Sequence, residues 1–380
     1  MATITVPKDV NFKDIENLVK SVHEKPNATL RLPNSLNTSG VFGIEALVLQ
    51  LFATWLRAEG EHILHTYVQE PENNDSFSDL CNTLYGICAL SLSEKIISAN
   101  KSEINRRFSL LPAVEKIENV RKELFKHAFK GFYLAIPSIK APGNNNELLS
   151  PLYNRGDVVG RSKFFKITKK SLDAVIANKE YELPDQVISN ISEILRELFT
   201  NTHKHARKDV KGNIIEKNFR SLSFMTATLD RTRLEKISES GGGQLSLFIG
   251  EWLAGNKKNI SMLDITVVDS GPGYARHWTG LDKDKLNFDK EQEAIVECFK
   301  KYKSTDTYES SGSGLSNVLR DLKNLRGWFR LRTGTAQIEK SFFDKKGSTK
   351  IEISDIKDKK VFVEGVVFNI IIPLQESKED

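Results

Sequence analysis

The sequence has little cysteine, no long apolar run and no strong excess of either charge. Three cysteines occur in 380 residues, at Cys81, Cys88 and Cys298. They cannot form a disulfide framework, and no second cysteine or histidine lies at zinc-ligand spacing. The most apolar stretch, Val41 to Leu56, is interrupted by Glu45 and Gln50 and is shorter than the ~18 apolar residues that a membrane helix needs. The first residues also lack a signal-peptide pattern, so we expect a reduced, cytoplasmic protein without a membrane partner.

The charge balance does not by itself indicate a nucleic-acid partner. The 55 basic and 50 acidic residues give a formal net charge of +5. The densest basic region, Arg106 to Lys130, also contains glutamates, as a solvated helix face does. A nucleic-acid binder that uses this region and Lys345 to Lys360 is an alternative, and the salt dependence of DNA affinity would test it. No nucleophile elbow, Walker loop or dinucleotide-binding fingerprint occurs, which disfavours the common hydrolases and oxidoreductases.

Length and local pattern indicate more than one domain. Hydrophobic residues make up 39% of the chain, which is enough for a sizeable core and excludes wholesale disorder. We predict an α/β domain over residues 1–140, a connecting region over 141–180, a second α/β domain over 181–375 and a tail over 376–380. The boundary rests on the turn-forming run Ala141-Pro142-Gly143-Asn144-Asn145-Asn146.

Strands and helices alternate in the predicted N-terminal domain. The pattern predicts strands over 28–32 and 62–68 and helices over 43–57, 80–97 and 112–129. This order resembles that of a STAS domain, the phosphoacceptor module of bacterial partner-switching systems. The resemblance implies a phosphorylated side chain at Thr38 or Ser39, although both residue types are also common in turns and helix caps.

A long amphipathic helix is predicted from Pro184 to Ala206. Its buried stripe consists of Ile188, Ile191, Leu195, Leu198 and Thr202. Glu197 and Asn201 are four positions apart, so they lie on one face beside this stripe, where they could line a pocket. The same pair is common on solvated helices, so it does not identify a site alone.

Two glycine-rich turns follow the helix. A buried strand over residues 263–268 leads into Asp269-Ser270-Gly271-Pro272-Gly273, where a carboxylate can accept a hydrogen bond from an exocyclic amine and the glycines let the backbone approach a flat ring. The second turn, Ser310-Ser311-Gly312-Ser313-Gly314-Leu315, leads into a helix predicted over 316–325. Glycines that open a helix expose amide groups to which phosphate can bind.

In order and spacing, these segments resemble the GHKL ATPase superfamily, which includes gyrase, the ninety-kilodalton heat-shock chaperone, histidine kinases and MutL. Residues 197–206 resemble the N box, 269–273 the G1 box and 312–315 the G2 box. Residues 291–315 and the strand predicted over 366–374 are similar to the segment through G2 and to the last strand of that fold. The resemblance covers residues 181–375 and implies an α+β sandwich, a sheet packed against helices with ATP between the helices and a lid.

The resemblance also implies that ATP and Mg²⁺ are the cofactors. Glu197 would orient or deprotonate the attacking water, Asn201 would hold Mg²⁺, and Asp269 would accept from the adenine amino group. The backbone would pass the base at Gly271 and Gly273.

The remaining family positions would contact the phosphates. The G2 residues would cradle them: Gly312, Ser313, Gly314 and Leu315. Lys303, beside Ser304, lies in the lid and could reach the γ-phosphate, or it could be a solvated lysine. His203 and His205 are expected to pack or hydrogen-bond within the N box rather than to accept phosphate.

Two departures from the family bear on activity. Residues 209–259 are longer than usual between the first two boxes, as a partner-binding insertion or a surface excursion would be. Only six residues follow Leu374, so we expect no further domain to supply a lysine in cis, and hydrolysis should be slow. The expectation is a slow Mg-ATPase that switches conformation to regulate a protein partner, with a homodimer left open. An anti-sigma-type serine/threonine kinase and a non-hydrolysing nucleotide sensor are the alternatives. A histidine kinase is disfavoured because neither His23 nor His127 lies on a helical hairpin before the nucleotide domain.

Overall fold

The computed structural model describes residues 2–37, 42–69, 74–143, 150–176, 181–254, 258–300, 314–345 and 347–374. Within these ranges the chain has a mixed α/β fold with one parallel and one larger antiparallel sheet, which confirms the predicted combination of helices and sheets. The helices are α1 (Phe12–Glu24), α2 (Ile44–Trp55), α3 (Leu84–Leu92), α4 (Arg106–Arg121), α5 (Arg161–Val175), α6 (Asp185–His205), α7 (Arg231–Glu239), α8 (Gln244–Trp252), α9 (Tyr274–Thr279), α10 (Phe288–Phe299) and α11 (Gly314–Asn324). Among the described residues, no helix is both long and apolar enough to cross a membrane.

A parallel sheet forms in the N-terminal part of the chain. Its strands are β1 (Thr3–Thr5), β2 (Thr29–Arg31), β3 (Ile63–His65) and β4 (Lys95–Ile97), in that order across the sheet. The central residues of the strands are buried in one row: Ile4, Leu30, Leu64 and Ile96. Because consecutive parallel strands are joined by right-handed crossovers, α1, α2 and α3 belong on the same face of this sheet.

The larger sheet is antiparallel throughout, in the order β10-β11-β9-β8-β5. Its strands are β5 (Tyr133–Lys140), β8 (Asn218–Asp230), β9 (Asn259–Asp269), β10 (Trp328–Ser341) and β11 (Ile356–Leu374). A short hairpin, β6 (Tyr153–Asn154) with β7 (Asp157–Val158), stands apart from it. The edge strand β5 lies within residues 1–140, so the sheet combines both predicted domains, whose division at residue 141 stays a prediction.

Helices cover both faces of the antiparallel sheet. On one face α5 packs against β5 and β8, α6 packs against β8 and β9, and α11 packs against α6. On the other face α1 and α2 from the N-terminal part pack against β11. Hydrogen bonds fix α2 there: the Gly43 amide donates to the Asp264 carboxylate (3.0 Å) and the Gln50 side chain to the Arg332 carbonyl (2.9 Å). The two parts of the chain therefore share one hydrophobic core.

Two helices differ from those predicted. The helix predicted over 80–97 is wrong beyond Leu92, because Ser93 has an extended backbone and residues 95–97 pair with β3. The helix predicted over 112–129 is wrong at both ends, since α4 begins after Asn105, whose side chain accepts from the Phe108 amide at 3.2 Å. The chain leaves the helix before Glu123, which has a left-handed backbone with φ of 58°.

Candidate functional site

The predicted carboxylate and amide lie together on α6. The helix begins after Pro184 and runs to His205, as predicted, and all five residues of the predicted apolar stripe are buried. These buried residues pack α6 against the antiparallel sheet, and the helix face beside them lies at the edge of the core. Glu197 and Asn201 lie on that face one turn apart, and both side chains are half-buried.

The Glu197 carboxylate lies against the start of α11. A Cβ added at Gly314, the first residue of α11, would overlap the carboxylate of Glu197, so the carboxylate keeps this position only beside a glycine. Burial raises the pKa of the Glu197 carboxyl above its ordinary value, and the cations Arg196 and Lys204 oppose the shift. The arrangement brings a carboxylate of raised pKa next to the helix start that the second glycine motif predicted.

Asp269 ends the central strand β9 in a buried environment. Only 4% of its surface is exposed, and burial raises the pKa of its carboxyl to about 7 although the charge of Arg220 on the adjacent strand acts in the opposite direction. One carboxylate oxygen accepts from the Gly271 amide at 2.9 Å. The side chain is therefore held by the turn that follows it, and we call residues 269–273 the Asp269 turn.

The glycines of the Asp269 turn are needed for space and for backbone conformation. A Cβ at Gly271 would overlap the backbone of Ala206, which follows the end of α6. Gly273 has φ of +84°, and a Cβ there would lie 2.6 Å from the Thr333 hydroxyl oxygen. The turn thus packs directly onto the helix that carries Glu197 and Asn201.

Tyr274 is a site residue that sequence reasoning missed. It follows the Asp269 turn, and its amide donates to the Thr333 hydroxyl at 3.3 Å. Its hydroxyl has a pKa raised well above the ordinary value, first by burial and then by the charges of Cys298, Asp269 and Glu197. An aromatic residue immediately after a glycine turn was the only sequence signal for Tyr274.

Several predicted site residues lie outside the described residues: Thr38, Ser39, Lys303, Ser304, Gly312 and Ser313. The last two G2 residues are described: Gly314 opens α11, and the side chain of Leu315 is buried in the core. The two histidines at the end of α6 make ring contacts. His203 packs against Tyr153, with ring centroids 5.3 Å apart, and His205 packs against His277 at 4.1 Å.

The oxygen atoms of these side chains decide which kind of ligand the site could bind. Asp269 and Glu197 offer carboxylate oxygens and Asn201 offers an amide oxygen, a ligand type that Mg²⁺ accepts. No cluster of three or more His, Cys, Asp or Glu placed to hold a metal ion occurs among the described residues. A metal at Asn201 would therefore depend on phosphate and water for its other ligands, as Mg²⁺ commonly does.

Comparison of the chain with protein-family models, with curated proteins and with solved structures finds no match.

Proposed function

We propose that the chain binds ATP and Mg²⁺ at this site in the manner of the GHKL superfamily and hydrolyses ATP slowly, as a conformational switch for a protein partner. One observation carries the proposal: the three motifs, far apart in sequence, meet at α6. Gly314 lies against Glu197, and Gly271 lies against Ala206. Packing of a core does not require this meeting, whereas a nucleotide site built from these motifs does.

The residues present suit an adenine nucleotide. Asp269 would accept a hydrogen bond from the exocyclic amine of adenine. Gly271 and Gly273 let the backbone of its turn pack closely against Ala206 and Thr333. The backbone amides at the N-terminus of α11 would face phosphate. Bound Mg²⁺, held by Asn201 and by phosphate oxygens, would neutralise charge on the phosphates.

Glu197 would act as the base for the attacking water. Its raised pKa makes the carboxylate a better proton acceptor than an exposed glutamate, and its half-buried position on α6 leaves it in reach of solvent. The charges that favour the ionised form of Glu197 come from Arg196 and Lys204, both on α6.

Incubation with Mg²⁺ and γ-labelled ATP tests the proposal. We expect wild type to release labelled phosphate and Glu197→Ala to lose about 10²–10⁴ of that rate, the usual contribution of a general base, while it still binds ATP. Asp185→Ala is the matched control, since the exposed Asp185 lies in the first turn of the same helix, about three turns before Glu197, and should leave the rate within about twofold.

The same incubation separates the alternatives. Label that appears on the protein instead of in free phosphate would indicate a protein kinase, and mapping to Thr38 or Ser39 would identify the first part of the chain as its substrate. ATP that binds without either product would indicate a nucleotide sensor. A wild-type chain that binds no ATP would contradict the proposal.

A further inference from the structure

Arg57, from the N-terminal part of the chain, reaches the Asp269 turn. It lies two residues after the end of α2, and its Nη2 donates to the Ser270 carbonyl (3.1 Å) within the turn and to the Lys217 carbonyl (2.8 Å) just before β8. Burial lowers the pKa of its guanidinium, while the charge of Glu364 has the opposite effect. One guanidinium thus ties the turn to the adjacent strand.

The other supports of the turn come from the sheet. The Ser270 hydroxyl accepts from the Phe219 amide at 2.9 Å, and the Gly365 amide donates to the Gly271 carbonyl at 2.8 Å. Gly365 belongs to an irregular part of β11, since the register with β10 shifts after Thr333. These contacts fix the Ser270 side chain and the Gly271 carbonyl, and Arg57 fixes the Ser270 carbonyl.

The helix α2 also holds the part of β11 that supports the turn. The Thr54 hydroxyl accepts from the Glu364 amide at 3.0 Å, and the Gln50 side chain lies 3.5 Å from the Gly365 carbonyl. Glu364 in turn pairs with Arg276 of α9 at 2.9 Å. The second half of α2 and the residues that follow it therefore support the Asp269 turn in two ways. Arg57 contacts the Asp269 turn directly, and Thr54 and Gln50 act through residues 364–365 of β11.

Arg57 contacts the turn from outside the nucleotide site. It lines an open cleft of ≈580 Å³ together with Gly271 and Pro272, and that cleft is not lined by Glu197, Asn201 or Asp269. Its donors are directed to backbone carbonyls and not to the carboxylate of Asp269. Arg57 can therefore influence a bound base only by fixing the backbone on which Asp269 and Gly271 stand.

We propose that Arg57 is a positioning residue for nucleotide binding, and that through it α2 couples the N-terminal part of the chain to the Asp269 turn. The inference rests on the proposed nucleotide site for its ligand, but its structural half, that Arg57 orders the turn, holds without a ligand. By reciprocity, any partner that displaces α2 would weaken nucleotide binding, and bound nucleotide would weaken that partner.

Two measurements on the full chain test the inference, each on Arg57→Gln, Arg57→Lys and wild type. In the absence of nucleotide, Arg57→Gln should exchange the Ser270 and Gly271 amides faster. The Kd for ATP and for ADP should rise by the same factor, about tenfold or more, because a hydrogen bond from a charged group to the turn is lost and the turn faces the base. At saturating ATP the turnover should stay within about twofold, since Glu197 is untouched, and Arg57→Lys should recover part of the affinity.

Arg106→Gln is the matched control. Arg106 also joins two carbonyls through one Nη2, those of Ser93 and Glu94 (3.1 Å to Glu94), but it lies at the start of α4. Arg106→Gln should lower the unfolding temperature about as much as Arg57→Gln does, but it should change neither amide hydrogen exchange in the Asp269 turn nor the affinity for nucleotide.

The outcomes separate this inference from the proposed function. If wild type binds ATP and Arg57→Gln binds it equally well, the positioning role of Arg57 is overturned. If wild type binds no nucleotide, the proposed function fails, and exchange alone decides: faster exchange in the turn supports the structural half, and unchanged exchange overturns it as well. If Arg57→Gln does not fold, Arg57→Lys is compared with Arg106→Lys on the same readouts.

Discussion

At the scale of single residues, two aspartates on β9 are similarly buried but have different surroundings. Asp264 and Asp269 are five positions apart, so their side chains lie on opposite faces of the strand. Burial raises the pKa of each carboxyl to about 7. Asp264 accepts from the Gly43 amide and the Asn369 side chain beneath α2, whereas Asp269 enters a glycine turn on the side of α6. Of the two, only Asp269 belongs to the proposed nucleotide site.

These two carboxyls predict a pH dependence of stability. Each has a folded pKa of about 7 against an ordinary value of 3.8, so folding favours the protonated form. The stability that protonation contributes is fully present below about pH 4 and is lost as the pH rises through 7. We expect the free energy of unfolding to fall across this window by up to about 1.4 kcal/mol per pH unit for each group.

Urea denaturation followed by circular dichroism between pH 5 and 8 measures this slope. Asp264→Asn removes one titrating group while keeping an oxygen for the Gly43 amide, so its slope should be shallower than that of wild type. A slope that is the same in both proteins would contradict the assignment of a raised pKa to Asp264.

At the scale of elements, the contact between α6 and α11 requires a missing side chain. Because the Glu197 carboxylate occupies the space that a Cβ at Gly314 would take, any other residue at position 314 would displace this carboxylate. The same contact sets where the base for water would stand relative to the amides of α11. The packing of α6 against α11 and the proposed position of the base therefore both depend on the absence of a Cβ at Gly314.

Gly314→Ala should lower ATP turnover by at least about tenfold, because the added methyl group displaces Glu197, and a misplaced catalytic group loses orientation. Gly160→Ala is the control: Gly160 precedes α5, its φ is −65°, and a Cβ there would contact nothing within 4 Å. Phosphate release and the thermal unfolding midpoint of both variants provide the comparison. Wild-type turnover in folded Gly314→Ala would show that Glu197 does not need this position.

At the scale of the whole molecule, α2 joins the two predicted domains. It packs against α1 and α3 on one side and against β9 and β11 of the antiparallel sheet on the other, and almost all of its residues are buried. The edge strand β5 pairs with β8 along its whole length. Packed elements therefore connect the N-terminal part of the chain with the sheet that carries the Asp269 turn.

The sequence predicted those parts of the molecule whose signals are local. The periodicity of α6 and the apolar run before Asp269 predicted both elements. The family resemblance implied that Glu197 and Gly314 belong to one site; the two residues lie against each other in the fold, and their roles stay a prediction. The position of α2 on β11 and the pairing of β5 depend on contacts between distant residues, which no local pattern encodes. Arg57 was missed for the same reason, since a lone arginine after a buried helix carries no motif.

Titration of the full chain with ATP in the presence of Mg²⁺ tests the central claim most directly. We predict saturable binding by wild type, an affinity at least about tenfold weaker for Asp269→Asn because the carboxylate acceptor is lost, and an affinity within about threefold of wild type for Asp264→Asn, whose equally buried carboxyl lies on the opposite face of the same strand. Absence of saturable binding by wild type, or an equal loss in both variants, would contradict the assignment of this site to a nucleotide.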